Sequence, residues 1–250
     1  MFKSLIKKSV HKLGFEISRT GSHSPQLPDG YGNGMQDGFQ RLKSIGLIPE
    51  SIIDVGAAEG TWTEKAIKVW TKARYQLFEP LEERRDVLKK LQVTHPGQIE
   101  LVFAAAGSKE GETEFYVSDD LDGSGIASAG STGRIRKVKI DSIDAMVSRD
   151  QLKPPFAIKL DTHGFEVPIL QGAEKTMQET LFLIIECYGF YIAPGSLLFW
   201  QLCQYMDKQG FRLFDVVDIM RRPTDQAFWQ CDAFFIRKEH PVFQNNSYAG

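Results

Sequence analysis

Two hydrophobic periods alternate along this chain. Short, near-continuous apolar runs end on Gly, Pro or charged residues. Between them, apolar positions recur every three or four residues. The run "SIIDVG" (51–56) reads as a buried strand, and 60–70 as a helix. "YQLFE" (75–79) is a second strand, followed by a charged helix over 81–91. "IELVFAAA" (99–106) is a third strand. "FAIKLD" (156–161) and "LFLIIEC" (181–187) are two more, with a helix around 166–178 between them. A helix from Ser196 to Gln209 leads to the strands "FRLFDVV" (211–217) and "AFWQCDAFFIR" (227–237). Apolar strands alternating with helices predict an α/β fold: a mostly parallel sheet with helices on both faces. The last two strands have no helix between them, so an antiparallel pair is expected at one edge.

The alternation breaks at 108–145. There "TEFYV" and "IRKVKI" read as short strands around "SDDLDGSGIASAGSTG", a long polar loop of the kind that serves as a binding loop or lid. Upstream, a helix is expected from Asp37 to Ile45, preceded by a Gly/Pro/Ser-rich linker over 21–35 that contains His23. The first residues carry Phe2, Leu5, Ile6, Val10 and Leu13 at helical spacing, with Lys3, Lys7, Lys8, Lys12 and Arg19 against one acid, Glu16. That is a basic amphipathic helix. It either docks on the domain or lies on an anionic membrane surface. The expected organisation is a helix and linker over 1–35 and one domain over 36–250.

Composition narrows the function classes. The formal net charge of the 250 residues is −2, which gives no global argument for a nucleic-acid partner. No apolar run is long enough to span a bilayer, and charges interrupt the apolar positions at the start, so no signal-peptide pattern is expected. Cys187, Cys203 and Cys231 form no C-x-x-C pair and sit in apolar surroundings. They read as free core thiols of a reducing compartment. The expected location is cytoplasmic, with peripheral contact at the inner membrane surface through the basic helix.

Ligands of parallel sheets sit beyond the carboxyl ends of the strands. The first strand ends in "DVGAAEGTW", which carries Asp54, Gly56, Ala57, Glu59 and Gly60. A dinucleotide site wants G-x-G-x-x-G with a helix N-terminus facing pyrophosphate. This loop has G-x-x-x-G, and Glu59 puts a carboxylate where phosphate would lie. Glu79, followed by Pro80, ends the second strand 25 residues after Asp54 (79 − 54), where an acid accepts hydrogen bonds from ribose hydroxyls. The expected ligand is therefore a nucleoside without pyrophosphate, and S-adenosylmethionine fits.

A second stretch, "IKLDTHGFEVPIL" (158–170), starts as a strand and ends as a helix. Ile158 and Leu160 point one way, and Lys159 and Asp161 the other. A strand covered on both faces obliges Lys159 to find a partner or reach the surface. Asp161 stands at the ligand-binding edge. His163, with a near-neutral pKa by default, is a candidate base, and Asp161 either orients it or is itself the base. Glu166 stands at a helix start, where an acid is favoured. Glu186 ends the next strand, 25 residues on (186 − 161), and the crossover brings it to the same edge as Asp161. Asp161 and Glu186 are thus a candidate pair for a divalent metal, although the sequence offers no obvious third ligand. Tyr188, Phe190 and Tyr191 are placed either to stack on a substrate or to pack in the core. Phe199 and Trp200 are expected in the core.

"IIDVGAAEGTWT", "LFEPLEE", "VKIDSIDAM", "AIKLDTHGFEVPILQGA" and "LIIEC" occur in the order seen in FkbM-type S-adenosylmethionine-dependent methyltransferases, and the chain resembles that family over roughly Ser51 to Cys187. The resemblance implies a class I, Rossmann-like methyltransferase that acts on hydroxyl groups of sugars, glycolipids or other secondary metabolites. Asp54, Gly56 and Gly60 would line the methionine end of the cofactor, and Glu79 would hold its ribose. Two positions depart from the pattern: His163 stands where an acid is commoner, and Glu59 where an apolar residue is common. An NAD-type oxidoreductase and a non-catalytic binding module are the competing readings.

Overall fold

The computed structural model describes residues 32–127 and 133–248. The basic helix, most of the linker and His23 lie outside the described residues. The first described helix, α1 (Met35–Ser44), buries Phe39 and Leu42 on one face. Strand β1 (Ser51–Val55) is buried throughout. It is followed by α2 (Thr61–Val69), β2 (Arg74–Phe78), α3 (Arg85–Thr94) and β3 (Ile99–Val102).

The apolar run 99–106 is not one strand. It bends at Phe103–Ala104, where the Ala104 N–H donates to the Val102 carbonyl, and β4 (Ala105–Ala106) joins a second sheet. That sheet contains β5 (Gly111–Val117), β6 (Gly125–Ile126) and β7 (Arg134–Asp141), in the order β4-β7-β5-β6. The sequence pattern marked the main strands of this segment. It did not mark β6, nor the following helix α4 (Ile143–Arg149).

The chain then returns through β8 (Phe156–Leu160), α5 (Glu166–Gln171), α6 (Glu174–Gln178), β9 (Thr180–Tyr188), α7 (Phe199–Lys208), β10 (Phe211–Arg221) and β11 (Phe228–Arg237). The single helix expected around 166–178 is two short ones, α5 and α6, with Gly172 at the end of the first. The main sheet has the order β10-β11-β9-β8-β1-β2-β3. β9, β8, β1, β2 and β3 run parallel. β11 runs antiparallel to both β9 and β10. The antiparallel edge is therefore present, and the last strand in sequence inserts between β9 and the edge strand β10.

Period-two alternation sends the two sides of each strand into separate cores. On one face Ile53, Val55, Ile158, Leu160 and Ile185 pack with Ile143, Ile169 and Leu202 from α4, α5 and α7. On the other, Ile52, Ala157 and Ile184 pack with Phe39, Ala66 and Leu88 from α1, α2 and α3. Leaving β1, the chain goes to β2 on one side and later returns to β8 on the other. The strand order thus reverses at β1, and the crevice beyond the ends of β1 and β8 is where such sheets bind ligands.

Candidate active site

At the end of β1, Gly56 turns the chain with φ +78°. A Cβ on Gly56 would lie 2.1 Å from the Asp161 carbonyl oxygen, so only glycine lets the two strand ends approach. The N–H groups of Gly56 and Ala57 both donate to the Phe78 carbonyl at 3.1 Å, which ties the loop to β2. Glu79, one residue past β2, is buried. Its Oε2 accepts the Ala58 N–H at 2.9 Å and its Oε1 the Leu81 N–H at 2.8 Å. Each oxygen keeps a lone pair for a further donor. Burial raises the Glu79 pKa to about 7, opposed by the two N–H bonds and by Arg84 and Lys159.

Below the loop lies a buried ion group. Asp54 is fully buried and accepts the Thr63 hydroxyl at 2.6 Å. Lys159 finds the partners its inward position demands: Asp54 Oδ1 at 3.3 Å, Asp161 Oδ2 at 3.2 Å and the Gly56 carbonyl at 3.1 Å. Burial disfavours the Lys159 charge, but Asp161 and Asp54 outweigh it and push the pKa above its ordinary value.

Above the loop opens a cavity of about 350 Å³. Gly56, Ala58, Glu79 and Pro80 form one end, with Ala104 to Ala106 beside them. Leu121, Ser124 and Ile126 from the β5–β6 connection, with Phe115 of β5, roof it. Asp161, His163, Glu186 and Gln230 line the other end. Size and composition suit a small-molecule site.

The sequence-derived cofactor residues therefore divide. Gly56, Glu79 and Pro80 line the cavity, whereas Asp54, Ala57, Glu59 and Gly60 do not. Asp54 sits beneath the loop against Lys159. Ala57 is core. Gly60 takes φ +81°, and a Cβ there would meet Leu91 at 2.5 Å, so it serves packing of α2 on α3. Glu59 turns outward and pairs with Arg84, so its charge is neutralised rather than presented to a ligand. Arg84 also holds Asp122 of the roof at 2.5 Å, which ties the roof to the glycine loop. The roof belongs to the polar loop that the sequence offers as a binding loop, but Arg84 carried no sequence signal, since it sits in an acidic run and its partners are 25 and 38 positions away.

At the far end, the Asp161 N–H extends the β1–β8 ladder by donating to the Val55 carbonyl at 3.0 Å. His163 takes a left-handed backbone, φ +52°, in the turn that follows. Buried Glu166 fixes that turn, accepting the Gly164 N–H at 2.8 Å and the Thr162 hydroxyl at 3.3 Å. His163 Nδ1 lies 3.1 Å from the Ser124 carbonyl. A carbonyl only accepts, so Nδ1 carries the hydrogen, and in the neutral ring Nε2 presents its lone pair. Nε2 lies 3.9 Å from Asp161 Oδ1 and 3.7 Å from Glu186 Oε2. Glu186 is held by Gln230 Nε2 at 2.6 Å on one oxygen and by the Tyr188 hydroxyl on the other. The sequence did not single out Gln230, which reaches the site only because β11 pairs with β9.

Electrostatics separates the two acids. Burial opposes the Asp161 charge, yet the Lys159 ammonium beside it holds its carboxyl below the usual range. Burial, and then the Asp161 charge, push Glu186 up to about 8. One carboxylate is thus kept ionised and its neighbour kept protonated, the pattern of an acid–base pair.

The aromatic residues also divide. Tyr188 is buried against the site, whereas Tyr191 is 65% exposed. Trp200, expected in the core, is 59% exposed on the outer side of the first turn of α7, whereas its neighbour Phe199 packs partly buried against the core. Cys187 and Cys231 are buried free thiols and Cys203 is partly buried. Among the described residues, no helix is long and apolar enough to cross a membrane.

Residues 54–213 match the family model described as the methyltransferase FkbM domain. Hexuronic acid methyltransferase AglP of Haloferax volcanii is 26% identical over 156 residues, which is 62% of this chain and 63% of that protein. The chain thus spans a little under two thirds of the length of that curated relative. Among solved structures, methyltransferase FkbM from Methylobacillus flagellatus KT is 19% identical with a TM-score of 0.49, covering 74% of this chain and 43% of that one. TrmK of M. capricolum, solved with S-adenosyl-homocysteine, is 11% identical with a TM-score of 0.45, covering 80% and 69%. With the glycine loop, the acid ending β2 and the Asp161 turn all inside the matched span, the chain belongs to the methyltransferase FkbM domain family.

Proposed function

We propose that the protein is an S-adenosylmethionine-dependent O-methyltransferase that methylates a hydroxyl of a sugar, glycolipid or other hydroxylated metabolite. The observation that carries this reading is one cavity with two different ends: Glu79 with free acceptor capacity at one, and the Asp161–His163–Glu186 group at the other. Glu79 would take the ribose hydroxyls. The Ala104–Ala106 wall and the apolar roof would enclose the adenine. When bound, the cofactor supplies an electrophilic methyl group. Methyl transfer to the acceptor oxygen would break the carbon–sulfur bond, with the electron pair leaving on sulfur as a thioether. The hydroxyl proton passes into the Asp161–His163–Glu186 group, where Asp161 is held ionised and His163 presents Nε2.

The hexuronic acid named for the archaeal relative puts sugars first among acceptors to test. A glycolipid acceptor would also fit a cytoplasmic protein that touches the inner membrane surface through residues 1–20. Vesicle binding that survives deletion of those residues would remove that part. The main test supplies methyl-labelled cofactor with a panel of sugars and glycolipids. The expected result is one O-methyl product per S-adenosylhomocysteine. Failure to bind S-adenosylmethionine in calorimetry, or label appearing only on nitrogen, would overturn the reading.

A further inference from the structure

Three potential ligand atoms converge at the acceptor end of the cavity, one each from Asp161, His163 and Glu186, all within 4.8 Å of one another. They come from three backbone positions: the end of β8, the turn after it, and the end of β9. We propose that this group holds a divalent cation that binds the acceptor hydroxyl. The proposal rests on the methyltransferase reading for the cation's role and on the geometry for its place.

Observations beyond the convergence itself support a cation. The Ser124 carbonyl fixes the hydrogen of His163 on Nδ1, at 3.1 Å, so Nε2 faces the two carboxylates as an acceptor. A ligating histidine has this arrangement, with its other nitrogen donating to a backbone carbonyl. Gln230 and Tyr188 orient Glu186 from behind, as outer groups do for a ligating carboxylate. Acidic groups also outnumber basic ones here. Asp232 stands opposite Glu186 in the β9–β11 register, adding a third carboxyl group to the row. Among the described residues, no hydrogen bond or ion pair reaches the Asp232 side chain. Lys159 is the cation in contact with this row, and it is already shared with Asp54. Two carboxylates and one imidazole leave positions for water and substrate oxygen on an oxygen-preferring ion such as Mg²⁺ or Mn²⁺. Such an ion would lower the hydroxyl pKa, and because it occupies His163 Nε2 the proton would pass to the Asp161 carboxylate rather than to the imidazole.

Mn²⁺ titrated into the full chain, followed by electron paramagnetic resonance, tests this. One saturable site with nitrogen coupling from a single imidazole is expected, without recourse to any variant. H163A should remove the coupling and weaken Mn²⁺ at least about tenfold, and D161N should weaken it similarly. No saturable binding, or binding unchanged in both variants, would overturn the proposal. Calorimetry with S-adenosylmethionine alone, before any metal is added, keeps the two readings apart. Loss of cofactor binding there would sink the methyltransferase reading and leave the Mn²⁺ result standing.

Discussion

The two ends of the cavity are built differently. At the Glu79 end, the carboxylate is held by main-chain N–H groups of Ala58 and Leu81, both within about 21 positions in sequence. At the Asp161 end the partners are side chains from the turn after β8, from β9 and from β11, with one main-chain carbonyl, that of Ser124, from the roof loop. A main-chain cradle is a product of the strand–loop–helix unit and tolerates side-chain change around it. A cluster of converging side chains depends on every element that supplies one. Binding of the cofactor and chemistry on the acceptor should therefore separate under mutation.

The strongest break of this comparison is Asp161→Asn. Turnover should fall about 10² to 10⁴-fold, the range of a lost acid–base group, while S-adenosylmethionine affinity changes only a few-fold. Equal loss of both, measured by single-turnover kinetics and calorimetry, would mean that the ends are one unit. Glu79→Gln should do the reverse. Losing the charge-assisted hydrogen bonds costs about 1.5–3 kcal/mol, or roughly ten- to hundredfold in cofactor affinity, with the chemical step little changed.

The third prediction concerns pH. In the free protein Glu79 titrates at about 7, raised by burial against the pull of Arg84 and Lys159. Ribose hydroxyls donate to the ionised carboxylate, so the complex has the lower pKa and binding releases a proton. Affinity should therefore rise with pH up to about 7 and level off above it, and Glu79→Gln should flatten that rise. An affinity that falls over the same range would contradict the assigned role. The smallest effect is expected from Asp122→Asn, which removes an exposed partner of Arg84 in the roof. An ion pair of this kind is worth about 0–1 kcal/mol, so stopped-flow cofactor release should speed up by no more than about fivefold.

Much of the frame was legible because hydrophobic period is a local property. β1, β2, β8 and β9 lie where the apolar runs placed them, and Lys159 was identified as needing a partner from its parity alone. The run 99–106 misled because apolar content persists across the bend at Phe103–Ala104, where β3 leaves one sheet and β4 enters another. Glu59 was read as facing a ligand because its position in the loop was known and its direction was not. The α2 start turns it outward to Arg84. The chemistry of Trp200 points to the core, but its position on the first turn of α7 faces solvent.

By itself the sequence determined the alternation of strands and helices, the two-sided burial of the sheet, the glycine turn beside Asp161 and the acids that end β2, β8 and β9. These follow from chain-local periodicity, backbone freedom and register along one strand. Tertiary structure alone decided that β11 inserts beside β9 and delivers Gln230, and that Arg84 joins the glycine loop to the roof. It also decided that His163 turns its Nε2 between Asp161 and Glu186. Those outcomes depend on contacts between residues 25 to 44 positions apart, whose geometry no local pattern encodes.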